Sequence, residues 1–420
     1  MIWTIANKSI LFMLSNIGSK GLAALAQLYA IFIFTKIHTQ DDAAIIFLLI
    51  GYAIWFQVFE FGLAQTLQNK YNEKKITTRD MFKVHIWHYF FMWIIALFVM
   101  TTSVLTDFLL PSSKQEAEAV KAFSTGAAIY LIASNNTITQ RLLLILNRGM
   151  LGNVLIIVQS LLAIMGLSLY YYFNKVNITV AVILYLAPQI LVYIPVLILF
   201  SWRRSIDVEQ THKINFNKIV YYSARFSGLG LMSAMYLGLD YYFAAHFLGD
   251  DEVISYHLVT RLFFISYIAY YAYSQHSTRH LSVCAAHSQW GVVYLIYKDS
   301  VLIGLAAVFL IYFTALILNQ CNVFDVITNG NTFDYKLLSA AFIYYIIRVF
   351  RDVALVIAGG LGWVNLMYQV YLLEILIGLI AMLYWVPISG AEGLLLSMSL
   401  ASLMGLFIIL YKVRIIAEKI

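Results

Sequence analysis

The sequence predicts an all-α, polytopic membrane protein with twelve transmembrane helices, on three observations: its composition, the length of its apolar runs, and the placement of its basic residues. Of 420 residues, 62% are hydrophobic and 11% charged, a balance that no soluble globular domain sustains at this length. Lipid is the implied solvent. Inside a bilayer the backbone must satisfy its own hydrogen bonds, so only helices and closed barrels span it, and the apolar runs here are helix-length rather than alternating ten-residue strands.

Apolar runs of roughly 20 residues place six helices at 10–35, 43–67, 82–105, 122–146, 151–173 and 178–202. Six more follow at 219–247, 253–275, 292–318, 337–358, 366–386 and 394–411. Pro188 and Pro195 fall inside the sixth and should bend it, freeing carbonyls that neighbouring groups must take up. With the N-terminus in the cytoplasm, 17 of the 27 Lys and Arg residues lie in cytoplasmic segments and five on the opposite face. The positive-inside rule therefore predicts both termini in the cytoplasm. The first apolar run is not followed by a small-residue cleavage site, so it reads as a retained helix. The longest connections, 203–218 and 105–121, are too short for a soluble domain.

The formal charge of +6 is spread between apolar segments instead of forming a basic stripe, which argues against nucleic acid as a partner. The 30 Tyr, 28 Phe and 8 Trp suit interfacial belts and helix packing, with membrane lipids as the surroundings. Cys284 and Cys321 fall on opposite faces in this topology, so no disulfide between them is expected.

Asp41-Asp42 at the first outer turn and Asp250-Asp251 between helices seven and eight stand 209 residues apart. Each pair follows a long helix and opens the next. The repeat predicts two pseudo-equivalent lobes of like orientation, 1–212 and 213–420, as in transporters built from parallel repeats. Acidic pairs in outer loops also occur in membrane glycosyltransferases, where carboxylates serve as base or metal ligand. Capping and compensation of the helix dipole explain both pairs without catalysis.

A charge near the bilayer centre costs at least about 3 kcal/mol, so each needs a partner, an aqueous cavity or a function. The chain retains nine candidates for such a charge: Lys20, Arg225, Arg261, Arg348, Arg351, Glu60, Asp240, Asp352 and Glu374. Asn16, Ser19, Lys20 and Gln27 fall on one arc of helix one, as do Gln57, Glu60, Ala64 and Gln68 on helix two. Helix eight aligns His257, Arg261, Gln275 and Arg279. Arg348 and Asp352 have the i, i+4 spacing of a structural ion pair. Lys20, Arg225 and Arg261 have no acid three or four residues away and read as cavity-lining anion ligands, with helix-to-helix pairing as the alternative. Glu60 reads either as the partner of a cation such as Lys20 or as a titratable coupling residue, a role open to Asp240 as well. His276, His280, Cys284 and His287 share a helical face, but at a helix end where such residues are ordinary, so no metal is expected. Gly359-Gly360-Leu361-Gly362 follows no strand and is read as a helix end, not a phosphate loop.

Phe59-Glu60-Phe61-Gly62-Leu63 with Gln68-Asn69, the stretch from Leu239-Asp240-Tyr241 through Leu248-Gly249 to Tyr256 and Arg261-Leu262, and Arg348 to Asp352 before a short Gly turn together resemble the O-antigen flippase (Wzx) family. That family belongs to the superfamily of multidrug extruders and lipid II flippases, and the similarity spans nearly the whole chain. The resemblance implies two six-helix lobes around a central cavity whose cations receive the diphosphate of an undecaprenyl-linked oligosaccharide. Lys20, Arg225 and Arg261 match interior cation positions, with Asn16 and Gln27 on the same polar stripe as Lys20. Glu60 stands where relatives often have Asp, and the two extra helices of lipid II flippases have no counterpart. The implied protein is a transporter of the bacterial inner membrane, not an enzyme and without a cofactor, with polysaccharide polymerases or other assembly proteins as partners. A drug or toxin extruder on the same scaffold would favour interior carboxylates over cations. An O-antigen polymerase or glycosyltransferase would need a large outer loop.

Overall fold

A computed structural model describes residues 2–72, 76–102, 104–111, 114, 116–146, 148–173, 177–202, 216–286, 290–324 and 334–417. Among these residues the secondary structure is helical, with no strand. The boundary expected between 212 and 213 lies outside the described residues. The described chain packs as two compact units, one of Ile37–Ala234 and one of Met1–Lys36 with Met235–Ile420.

In order, the helices are α1 (Ile2–Ile37), α2 (Gln40–Gly51), α3 (Ala53–Gln57), α4 (Leu63–Asn72), α5 (Thr78–Thr101), α6 (Val104–Leu109), α7 (Ala117–Ala133), α8 (Asn135–Ile145), α9 (Gly149–Tyr172), α10 (Ile178–Leu186), α11 (Pro188–Leu191) and α12 (Ile194–Trp202). There follow α13 (Phe216–Phe247), α14 (Asp250–Ala286), α15 (Trp290–Gln320), α16 (Tyr335–Gly360) and α17 (Val364–Ala417). Helical segments overlie each predicted span. Eight stretches of the described residues are long and apolar enough to cross a membrane, and the protein is an integral membrane protein. Large apolar side chains such as Trp87, Phe90, Leu310 and Ile380 stand outward, as lipid rather than water requires.

Breaks in the second and sixth predicted spans, and one between the last two, each have a local reason. The second runs through α2 and α3 into a 3-10 turn, Val58–Glu60, and reverses at Phe61 and Gly62, whose φ values are 53° and 64°. The sixth breaks around its prolines. Tyr193 N–H bonds Ile190 instead of closing a regular turn, and Asn136 Nδ2 donates to the Gln189 carbonyl at 2.7 Å, taking up a carbonyl that the break frees. In α17 the backbone leaves helical geometry at Gly390, between the two spans predicted at 366–386 and 394–411.

The acidic pairs both sit in the first turns of helices, Asp41 and Asp42 in α2 and Asp250 and Asp251 in α14. There they complement the dipole. The side-chain cap of α2 is Thr39, which accepts from Asp42 N–H at 3.3 Å, so the neighbouring threonine and not the aspartates does the capping.

Within the unit Ile37–Ala234, α4, α5 and α8 bury Ala64, Leu67, Met81, Val84, Ile138 and Leu142 together. Ahead of α2, His38 stacks on Tyr170 and stands 3.2 Å from its hydroxyl. The Tyr170 hydroxyl donates to the Asn177 carbonyl at 3.1 Å, and Asp42 is 3.9 Å from the other ring nitrogen. Burial holds the His38 pKa below its ordinary 6.5, with Asp42 opposing the shift more weakly. As pH falls below 6.5, the unfolded chain takes up a proton that the folded one resists. Stability should therefore be full above that pH and decline as pH falls through the window beneath it. Thermal unfolding in detergent across this window should show the decline, and His38→Asn should flatten it.

In the other unit, α14, α15, α16 and α17 pack successively on one another. α16 ends with Trp363 N–H on the Ala358 carbonyl at 2.9 Å, a helix terminus as the glycines there predict.

Candidate functional site

In the unit of Met1–Lys36 with Met235–Ile420, α1 carries the polar stripe. Ser19 is fully buried and donates to the Asn16 carbonyl at 3.0 Å. Lys20 is half-buried with its Nζ 5.0 Å from the centre of the Tyr271 ring, and Asn16 and Gln27 are half-buried on the same helix. Ammonium on an aromatic face is a cation–π contact.

Asp240, on α13, is buried. Tyr256 donates its hydroxyl to Oδ2 at 2.5 Å, and Tyr241 N–H donates to Oδ1 at 2.9 Å. Arg348 and Arg261 both act electrostatically on this carboxylate. Arg261 is half-buried with its guanidinium 5.9 Å from the Phe264 ring. Tyr345 donates to the Thr260 carbonyl at 2.9 Å, which ties α16 to α14 beside Arg261.

Arg348 and Asp352 form an ion pair, Nε to Oδ2 at 3.0 Å. The Arg348 guanidinium also lies 5.5 to 5.7 Å from the rings of Tyr267, Tyr344 and Tyr345. Arg351 bonds Asp352 Oδ1 at 2.7 Å and grips Glu374 through both arms, Nε to Oε1 at 2.7 Å and Nη2 to Oε2. Tyr270 adds its hydroxyl to Asp352 at 2.9 Å. Sequence spacing links Arg348 to Asp352, whereas the Arg351–Glu374 pair joins residues 23 apart on α16 and α17. No periodicity announces it. Its only sequence signal is that both residues are charges within apolar spans. The named basic residues in this unit's spans, Lys20, Arg261, Arg348 and Arg351, outnumber the acidic Asp240, Asp352 and Glu374 by one.

Glu60 belongs to the other unit, at the break before α4. It feels the Arg141 charge and meets the Thr137 hydroxyl, both from α8. Its Oε2 is buried with no hydrogen-bond partner among the described residues. Arg141 itself donates to Gln68 Oε1 at 3.1 Å. Arg141 stands near the end of the predicted span 122–146, and spacing along the chain missed it as a neighbour of Glu60. Also missed were His85 and His88 on α5, both buried against α8. Two histidines three residues apart within a predicted span were the available signal. Arg225 lies on α13, and its side chain is outside the described residues, as are those of His276, His280, Cys284 and His287. Among the described residues no group of three or more His, Cys, Asp or Glu side chains is placed to hold a metal. A surface cavity of about 360 Å³ is lined by residues of α16 and α17, among them Lys336, Ile343 and Glu392.

Cations on aromatic faces, an arginine–carboxylate cluster and a buried carboxylate thus lie among these helices. No family profile matches the chain. Solved structures share its fold. A lipid II flippase, MurJ, in an inward closed conformation aligns with TM-score 0.71 and 13% identity over 96% of this chain and 87% of that one. A multidrug-resistance MATE family transporter in an inward-facing conformation aligns with TM-score 0.67 and 14% identity, covering 94% and 95%. A transporter of the same superfamily from Pyrococcus furiosus aligns at 0.68 and 14%, covering 98% and 96%. The fold is that of the MOP-superfamily transporters. Within it, the resemblance to O-antigen flippases is carried by sequence relatives over nearly the full length. A protein of Salmonella typhimurium named "Putative O-antigen transporter" is 23% identical over 404 residues, covering 93% of this chain and 92% of its own. One of the same name from Salmonella typhi is 22% identical over 413 residues, with 92% of each chain covered.

Proposed function

We propose that the protein is a flippase that moves an undecaprenyl-diphosphate-linked O-antigen unit, or a related oligosaccharide, from the cytoplasmic to the periplasmic leaflet of the bacterial inner membrane. The observation that carries this reading is the near full-length similarity to proteins named O-antigen transporters on a transporter fold. The interior excess of cations supports it, since the cargo is a diphosphate. In this reading twelve spans form two lobes, 1–212 and 213–420, that rock about a central cavity with both termini in the cytoplasm. Lys20, Arg225 and Arg261 hold the diphosphate, Asn16 and Gln27 meet its polar surroundings, and the polyprenyl tail stays in the bilayer. Carriage of an anion out of a negative interior is electrically downhill by about 2.3 kcal/mol per charge per 100 mV.

Of the two candidates for ion coupling, Glu60 is the better placed. Its Oε2 has no partner among the described residues, whereas both Asp240 oxygens are engaged. A polymerase or another polysaccharide-assembly protein is the expected partner on delivery of the cargo.

The test is flipping of a fluorescent undecaprenyl-diphosphate oligosaccharide in proteoliposomes, read by a membrane-impermeant quencher. Lys20→Ala and Arg261→Ala should each slow flipping by about tenfold or more, the scale of one lost charge-assisted hydrogen bond. Wild-type protein that leaves the lipid unflipped but extrudes organic cations would favour the drug-extruder reading, which the shared MATE fold also accommodates.

A further inference from the structure

The break in the second predicted span ends the regular ladder of backbone hydrogen bonds, because Phe61 turns left-handed directly after the 3-10 turn. The Phe59 carbonyl there takes its hydrogen bond from a side chain. His88 Nε2 lies 2.8 Å from that oxygen, and His88 Nδ1 lies 2.6 Å from Asn135 Oδ1. The ring is 5% exposed and the asparagine 1%. Both ring nitrogens therefore face oxygen acceptors. A neutral imidazole has one N–H and one lone pair, so it can satisfy only one of the two contacts and sets lone pair against lone pair at the other.

Turning the asparagine amide over does not remove the conflict. In the present orientation Asn135 Nδ2 donates to the Ile132 carbonyl at 2.9 Å. The flipped amide would offer a donor to His88 but aim its own oxygen at that carbonyl. The conflict only moves. A ring protonated on both nitrogens satisfies the Phe59 carbonyl, the Asn135 oxygen and the Ile132 carbonyl at once.

We propose that His88 is a buried proton-binding site: as imidazolium it bolts α5 and α8 to the broken turn of the second span, and loss of its proton releases the Phe59–Gly62 turn next to Glu60. Burial works against the charge, and two short bonds to oxygen work for it. The neighbouring groups have distinct states. His85, one turn earlier, meets Thr139 Oγ1 at 3.0 Å, and that hydroxyl donates to the Asn135 carbonyl at 3.3 Å. His85 is therefore the donor through Nε2 and keeps a bare Nδ1, which is buried and has no partner among the described residues. On the turn, Glu60 follows Phe59. From α8, Arg141 acts on Glu60, and the edge of Phe61 meets the His88 ring with centroids 6.0 Å apart. This site does not depend on which cargo the protein carries.

The deciding measurement is ¹⁵N magnetic resonance of histidine-labelled protein in lipid between about pH 5 and 8, the range in which an imidazole ordinarily changes charge. His88 is assigned by the signal lost in His88→Gln, or in the wild type by its contact with a ¹³C-labelled Phe59 carbonyl. The expected result is two protonated nitrogens on His88 at the acid end, with one bare nitrogen on His85 throughout. Amide exchange at Phe61 and Thr66 should rise about tenfold or more as His88 loses its proton, and in His88→Gln it should be fast at every pH. A His88 ring with one bare nitrogen across the whole range would overturn the proposal, as would exchange at the turn that ignores the titration.

Discussion

Replacing Glu374 with alanine should destabilise the protein by about 3–5 kcal/mol, the cost of stripping a buried charge of its partner. Arg351 is 3% exposed and Glu374 fully buried, and two arms of the guanidinium hold the carboxylate. Once the carboxylate is gone, Asp352 is left to face both Arg348 and Arg351, and the second arginine stays buried. The surroundings leave no slack. A methyl group added at Gly405 would stand 2.0 Å from Glu374 Oε1. Thermal unfolding in detergent should show the loss, and the double variant Arg351→Met with Glu374→Leu should recover most of it, because removing both charges removes the desolvation penalty as well. A Glu374→Ala variant as stable as the wild type would mean that the cluster is hydrated.

Gly62→Ala should cost about 2–4 kcal/mol, from a left-handed backbone and a steric conflict acting together. Gly62 has φ of 64°, and an added Cβ would lie 2.6 Å from Phe226 Cβ, 2.8 Å from Ser227 N and 2.9 Å from the Ser223 carbonyl oxygen. Two of those atoms are backbone and cannot rotate aside. The turn would have to shift, carrying Glu60 away from Thr137, so flipping should fall further than the loss of folded protein explains. Gly21→Ala is the matched control: it is helical with nothing within 4 Å of the added atom, and alanine favours a helix over glycine. It should leave stability unchanged or slightly raised.

The positions of the helices were legible in the sequence because lipid imposes a one-dimensional rule. Every spanning segment must be long, apolar and internally hydrogen-bonded, and that rule marks Pro188 as an interruption without reference to any other residue. The Arg348–Asp352 pair was legible for a similar reason, since its geometry is set by a single helix. Glu60 and Asp240 stood out as costly charges, but their surroundings did not. That Glu60 meets Thr137 and the Arg141 field, and that Asp240 meets Tyr256, depends on which helices lie side by side.

By itself, then, the sequence determined the solvent, the helical class and the list of charges that need an explanation. The tertiary structure decided which partner each charge has. Arg351 meets Glu374 across 23 residues and His88 meets Asn135 across 47, and no local pattern encodes either distance. It also decided that the second span breaks at Phe61 and Gly62, because a left-handed turn there is sustained by contacts from α5 and α13. Hydrophobicity is a property each residue carries along the chain, whereas a buried hydrogen bond belongs to two residues that only packing brings together.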